Sequence, residues 1–122
     1  NRLYSIFSKY SEYFHLPTAQ EGSDPCWFAF LLTLKEGAPF KKEDFIRHLE
    51  KSKIQTRSYF GGNILAHPGY QELKKTNSRE FPVADHATMN SFFLGTFAGL
   101  TSEKMDYIEK SVLDFFEDYN EQ

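Results

Sequence analysis

Residues 53–70 read KIQTRSYFGGNILAHPGY. The stretch begins as a strand, breaks at Gly61-Gly62, and carries Asn63 and His67 forward to a Pro68-Gly69 stop. Groups able to grip a ligand (Arg57, Tyr59, Asn63 and His67) are interleaved with the apolar anchors Ile54, Phe60, Ile64, Leu65 and Tyr70. Two consecutive glycines carry no Cβ, so backbone there can come close to a ligand or another chain. Loops of this make-up often hold sites while the elements around them hold the loop. Two readings stay open. Gly61-Gly62 either admits a ligand or only makes a tight turn, and Arg57 is either a ligand group or a solvated strand residue.

Working upstream, residues 54–60 return from a helix expected over 42–52. Glu43 and Asp44 lie in its first turn, where the helix dipole favours carboxylates, and Lys51 and Lys53 lie at the far end. Phe40 and Phe45 have the spacing of a hydrophobic staple. Phe45, Ile46 and Leu49 should be buried, with His48 on the wet side. Residues 27–34 are nearly all apolar and are read as a central strand buried on both faces, with Trp27 and Phe28 in the core. The section is therefore strand-helix-strand. Residues 18–25 are polar and rich in turn formers, hence loop. At the start, Leu3, Ile6, Phe7, Tyr10, Tyr13 and Phe14 recur at helical spacing, followed by a short extended piece over 14–16 that ends at Pro17.

Downstream, residues 68–73 predict a short helix, and 74–80 a mobile polar segment. Phe81-Pro82 opens a helix through about Asn90, with Val83, Ala87 and Asn90 or Ser91 on one side. Residues 91–98 read as a third strand whose Gly95 suggests a bulge or close backbone approach. The last helix has Thr101 as N-cap, Glu103 and Asp106 near its start, and Leu100 placed to staple onto Met105. Met105, Ile108, Val112, Phe115, Phe116 and Tyr119 form its apolar stripe.

A chain of 122 residues is one domain by length, and a domain of that size buries about two-thirds of its unfolded surface. The single cysteine, Cys26, excludes an internal disulfide framework and fits a reducing, cytoplasmic setting. Beside Trp27 in an apolar run it reads as a packed small residue. A net charge of -3 argues against nucleic acid, since no basic face neutralises many phosphates. No apolar run approaches the roughly 20 residues of a membrane span. The 13 Phe and 7 Tyr exceed what a small core needs and point to an interface or a ligand wall. With no initiator Met and a helical pattern already running at Leu3, the chain is expected to be a piece of a longer one.

No catalytic constellation stands on its own. His15, His48, His67 and His86 lack zinc-site spacing. Gly61-Gly62 has no following Lys-Ser/Thr and is not a P-loop. A seryl elbow is absent. Asp114, Glu117 and Asp118 lie on a solvated helix face. What remains is a binding wall, in which Arg57 could fork onto a phosphate and Asn63 could bond a hydroxyl or carbonyl. Against these stand a surface ion pair of Arg57 with Glu50 or a neighbouring acid, and a His67 that bonds backbone in its turn.

Ser23-Asp24-Pro25 with Trp27-Phe28, Lys53-Ile54-Gln55-Thr56-Arg57, Phe60 with Gly62-Asn63, His67-Pro68 with Tyr70, Phe81-Pro82-Val83-Ala84 and Phe97-Ala98-Gly99-Leu100-Thr101 together carry a resemblance. The pattern, from about Tyr13 to Phe116, resembles the carboxy-terminal small domain of the DegT/StrS family of pyridoxal phosphate (PLP) enzymes. It looks closest to the nucleotide-linked 4-keto-6-deoxyhexose 3-dehydrases of lipopolysaccharide and deoxysugar pathways. I-Q-T-R with G-N points to the dehydrase branch. His67 stands where many relatives have Gln, and Gly69 replaces a commoner Ala.

The resemblance implies a homodimeric fold-type I enzyme. PLP and the catalytic Lys, or His in the dehydrases, would sit in a large domain outside this chain. The chain alone should then be inactive and bind no cofactor by itself. Arg57, Phe60, Asn63 and His67 would match the stretch that closes over the nucleotide-sugar, and Tyr59 joins them from the residue reading.

The expected architecture is an α+β two-layer domain, with helices from both ends of the chain on one face of a small mixed or antiparallel sheet. The expected function is the substrate-closing, dimer-supporting domain of a CDP- or GDP-linked 4-keto-6-deoxyhexose 3-dehydrase. The rivals are the same domain of a nucleotide-sugar aminotransferase, a stand-alone protein-interaction module and an independent small-molecule-binding regulator.

Overall fold

A computed structural model describes residues 2–76 and 79–120. In chain order these residues form α1 (Arg2–Ser8), β1 (Phe14–His15), β2 (Ala29–Leu34), α2 (Lys42–Lys51), β3 (Thr56–Ser58), α3 (Gln71–Thr76), α4 (Pro82–Asn90), β4 (Ser91–Gly95) and α5 (Ser102–Asn120). Two 3-10 turns, Ile64–Ala66 and Pro68–Tyr70, lead into α3. The expected α+β architecture stands.

The strands form one antiparallel sheet in the order β1-β2-β4-β3. The strand-helix-strand section is therefore split, because β4 returns between β2 and β3. Phe30 opposes Leu94, which opposes Thr56. One row on, Leu31 opposes Phe93, which opposes Arg57. Opposed residues share a face, and successive residues alternate between faces. One face thus carries Phe30, Leu32, Leu34, Phe92 and Leu94, all buried. The other carries Leu31, Phe93 and Arg57.

The buried face is covered by Leu3, Ile6 and Phe7 of α1, Phe45 and Leu49 of α2, and Ile108, Val112, Phe115 and Phe116 of α5. The core is built largely of edge-to-face phenyl pairs, such as Phe45 against Phe115 at 4.8 Å and Phe7 against Phe14 at 6.0 Å. That geometry places a positive ring edge on a negative ring face. Much of the aromatic surplus is spent here. Arg2 on Asp106 (2.6 Å), and Lys9 just past α1 on Glu109 (2.7 Å), fasten the start of the chain to the last helix.

Several expectations are corrected. Strand β2 starts at Ala29 and alternates half-buried with buried residues, so only one of its faces is fully buried. Trp27 and Phe28 precede the strand and are 39% and 76% exposed, not core. Cys26 is exposed rather than packed, because the chain has not yet entered the sheet. His48 is half-buried: its ring edges onto Phe115 and its Nε2 lies 2.8 Å from the Ser111 carbonyl oxygen.

Strand β3 covers only Thr56–Ser58, since Lys53 turns into the left-handed region (φ 60°) and Phe60 does the same (φ 48°). Gly95 simply ends β4, and a Cβ there would meet nothing. Val83 of α4 is 81% exposed, so the side it was expected to share with Ala87 is not a core face at that residue. Of the segment expected to be mobile, 74–76 belong to α3, and 77–78 lie outside the described residues. The last helix matches its reading, and the Lys104 amide donates to the Thr101 hydroxyl at its N-terminus (3.4 Å).

Candidate functional site

The quoted stretch leaves the sheet along its outer strand, β3, and turns back against α4. Arg57 sits on β3, exposed, beside Phe93 in the register. Glu50, at the end of α2, does not pair with it. That carboxylate instead accepts from the Thr56 amide (2.6 Å) and the Thr56 hydroxyl (2.7 Å). These two hydrogen bonds hold the Glu50 carboxyl below the usual carboxylate range, helped by the charge of Arg57. Among the described residues Arg57 forms no ion pair within 4 Å and no side-chain hydrogen bond of its own.

Tyr59 and Phe60 follow at the bend, their rings 5.4 Å apart. Phe60 adopts φ 48°, a conformation that costs a bulky residue about 1–3 kcal/mol. The bend brings its ring to 5.8 Å from Phe93 and 6.3 Å from Phe28.

The glycine pair is occupied from inside the molecule. Gly62 lies at φ 62°, and a Cβ there would fall 2.4 Å from the Thr88 hydroxyl oxygen of α4. That hydroxyl accepts from the Asn63 amide (2.6 Å) and donates to the Ala84 carbonyl (2.6 Å). The Asn63 side chain accepts from the Leu65 amide (3.1 Å), capping the first 3-10 turn, and donates to Asp85 (2.5 Å). His67 bonds back to the Gly61 carbonyl, as its turn reading anticipates.

The five expected site residues therefore divide. Arg57, Tyr59 and Phe60 lie along one path at the open face. Asn63 and His67 hold the loop that presents them. Asn63 also lines a cavity of about 400 Å³ with Leu65, Phe81, Pro82 and Asp85. A larger cavity of about 550 Å³ lies between the end of β4 and α5, and none of the five lines it.

Sequence reasoning missed Thr88, Asp85, Phe28 and Phe93. The first two are ordinary residues of a helix with nothing in the sequence to tie them to Gly62. Phe28 was absorbed into an apolar run whose true start could not be seen. Phe93 alternates with core residues, and only the coverage of one face by helices distinguishes it.

Comparison with known proteins bears on this arrangement. RfbH, a lipopolysaccharide biosynthesis protein of Salmonella typhimurium, is 35% identical over 106 residues, 87% of this chain and 24% of that protein. The dTDP-4-dehydro-2,6-dideoxy-D-glucose 3-dehydratase of Saccharopolyspora spinosa is 34% identical over 100 residues, 82% of this chain and 22% of its own length. The chain thus spans about a quarter of the relatives it matches. An aminotransferase from Psychrobacter cryohalolentis shares the fold at TM-score 0.82 and 12% identity, over 96% of this chain and 32% of that one. The E. coli GDP-4-keto-6-deoxy-D-mannose-3-dehydratase with bound hydrated PLP shares it at 0.69 and 19%, over 90% and 28%. The model of the DegT/DnrJ/EryC1/StrS aminotransferase family matches residues 2–113, nearly the whole run from α1 into α5, and the chain belongs to that family.

Proposed function

We propose that this chain is the carboxy-terminal small domain of a PLP-dependent 3-dehydratase acting on a nucleotide-linked 4-keto-6-deoxyhexose. In this reading a large domain of the same polypeptide supplies the cofactor site and the reacting groups. The small domain closes the substrate cleft and supports a homodimer in the cytoplasm. The observation that carries the proposal is the likeness, at 35% and 34% identity, to a lipopolysaccharide biosynthesis protein and a sugar 3-dehydratase. The residues on the open face suit it: a guanidinium free of ion pairs among the described residues, beside aromatic rings, on a loop clamped to α4.

The family implies PLP, which would supply an electron sink for bond cleavage beside the sugar carbonyl. The set of Arg57, Tyr59, Phe60 and Phe93 brings no primary amine to hold the cofactor's carbonyl as an imine. It fits the substrate side of such a cleft and not the pyridoxal ring. Arg57 would fork onto the substrate diphosphate. Tyr59 and Phe60 would exclude water from the sugar, protecting reactive intermediates. Asn63 and His67 would keep the loop in its closed shape.

The test is steady-state kinetics of the full-length enzyme carrying Arg57→Ala. Losing one charge-assisted contact raises KM about tenfold or more, with the PLP absorbance unchanged. An unchanged KM would count against the proposal. A histidine at the catalytic position of the large domain supports the dehydratase, and a lysine there would make the enzyme an aminotransferase.

A further inference from the structure

We infer that Phe28 and Phe60, lying over Phe93, form a stacking plate for the planar base of a nucleoside diphosphate whose phosphates reach Arg57. The inference rests on the proposed nucleotide-linked substrate and deepens it by giving the base a place. Phe28 is 76% exposed and Phe60 70%, yet their rings lie 6.3 Å apart and only 25° from parallel. Each also contacts Phe93, at 5.9 Å and 5.8 Å. The three rings come from three separate segments: the lead-in to β2, the bend after β3, and β4 itself. Phe60 reaches the plate only by a left-handed backbone (φ 48°), so the fold bends to expose this ring rather than to bury it.

The choice of occupant comes from the neighbouring charge. Arg57 opposes Phe93 in the register and has no ion-pair partner among the described residues. An apolar protein surface seated on the rings would offer the guanidinium no acceptor, and Glu50, the carboxylate whose charge it feels, is turned to the Thr56 donors instead. A nucleoside diphosphate supplies both halves in one molecule: a π-face for the rings, and phosphate oxygens matched to the guanidinium fork. Stacking of this kind tolerates different bases, because every base has a π-face.

The experiment is equilibrium titration of the full-length enzyme with GDP, with dTDP, and with inorganic pyrophosphate as the base-free control. Phe28→Leu removes the ring at an exposed position and leaves the core untouched. It should weaken GDP and dTDP binding about tenfold while leaving pyrophosphate affinity within twofold, and Phe28→Trp should restore both nucleotides. Arg57→Ala should weaken all three. If wild-type enzyme binds nucleotide and Phe28→Leu binds it equally well, the stacking plate is wrong while the proposed function stands. If Phe28→Leu weakens pyrophosphate as much as nucleotide, or Phe28→Trp fails to restore binding, the rings do not stack a base. If wild-type enzyme binds none of the three probes, the proposed function falls and the plate with it.

Discussion

At the scale of single residues, the decisive contact is Gly62 against Thr88. A methyl group at Gly62 would meet both a left-handed φ and the Thr88 side chain at 2.4 Å. Gly62→Ala should therefore cost more than about 1 kcal/mol in urea unfolding. Thr88→Val keeps the shape but removes the acceptor of the Asn63 amide. It should cost about 1–2 kcal/mol, and Thr88→Ser should recover most of that. The double glycine was legible in the sequence as a place of close approach. What approaches it was not, because Thr88 lies 25 residues beyond Asn63 and carries no signal. His67 shows the reverse, since its local turn role could be read from His-Pro alone. Glu50 gives a pH test with a fixed sign. Its carboxyl is held below the ordinary value of 4.5, so its contribution to stability is present above that pH. The contribution is lost as pH falls through the lowered folded value. Unfolding midpoints of wild type and Glu50→Gln should differ least at the acid end, where a neutral Glu50 no longer gains from the Thr56 donors.

At the scale of elements, α5 carries the clearest correspondence between sequence and structure. Its stripe is long and regular, its N-cap is local, and both signals act within one helix. Short strands fared worse. Residues 27–34 look uniformly apolar, and only the pairing partner shows that two residues stay outside the sheet. Helix α5 also offers a test of burial without satisfaction. The Ser111 hydroxyl is buried and finds no hydrogen-bond partner among the described residues. Ser111→Ala removes an unsatisfied polar group of nearly the same size, so it should be neutral or stabilising by up to about 1 kcal/mol in chemical unfolding. Phe45, by contrast, is fully buried between β4 and α5, with rings of Phe92 and Phe115 at 5.9 Å and 4.8 Å. Phe45→Ala should cost about 3–5 kcal/mol in the same measurement.

At the scale of the whole molecule, the fold separates two tasks. One sheet face is sealed by the three helices α1, α2 and α5, and it carries the stability. The other presents Arg57, Phe93 and the rings gathered around them. The alternation of one strand and the helices' positions decide which residues fall on each side. Neither could be extracted from composition, which gave only an excess of aromatics. The most direct measurement is hydrogen–deuterium exchange of the full-length enzyme with and without saturating GDP. If the open face is the substrate wall, GDP slows exchange across residues 57–65 and leaves the sealed helices unchanged. Protection elsewhere on the enzyme, with residues 57–65 exchanging as before, would contradict the account.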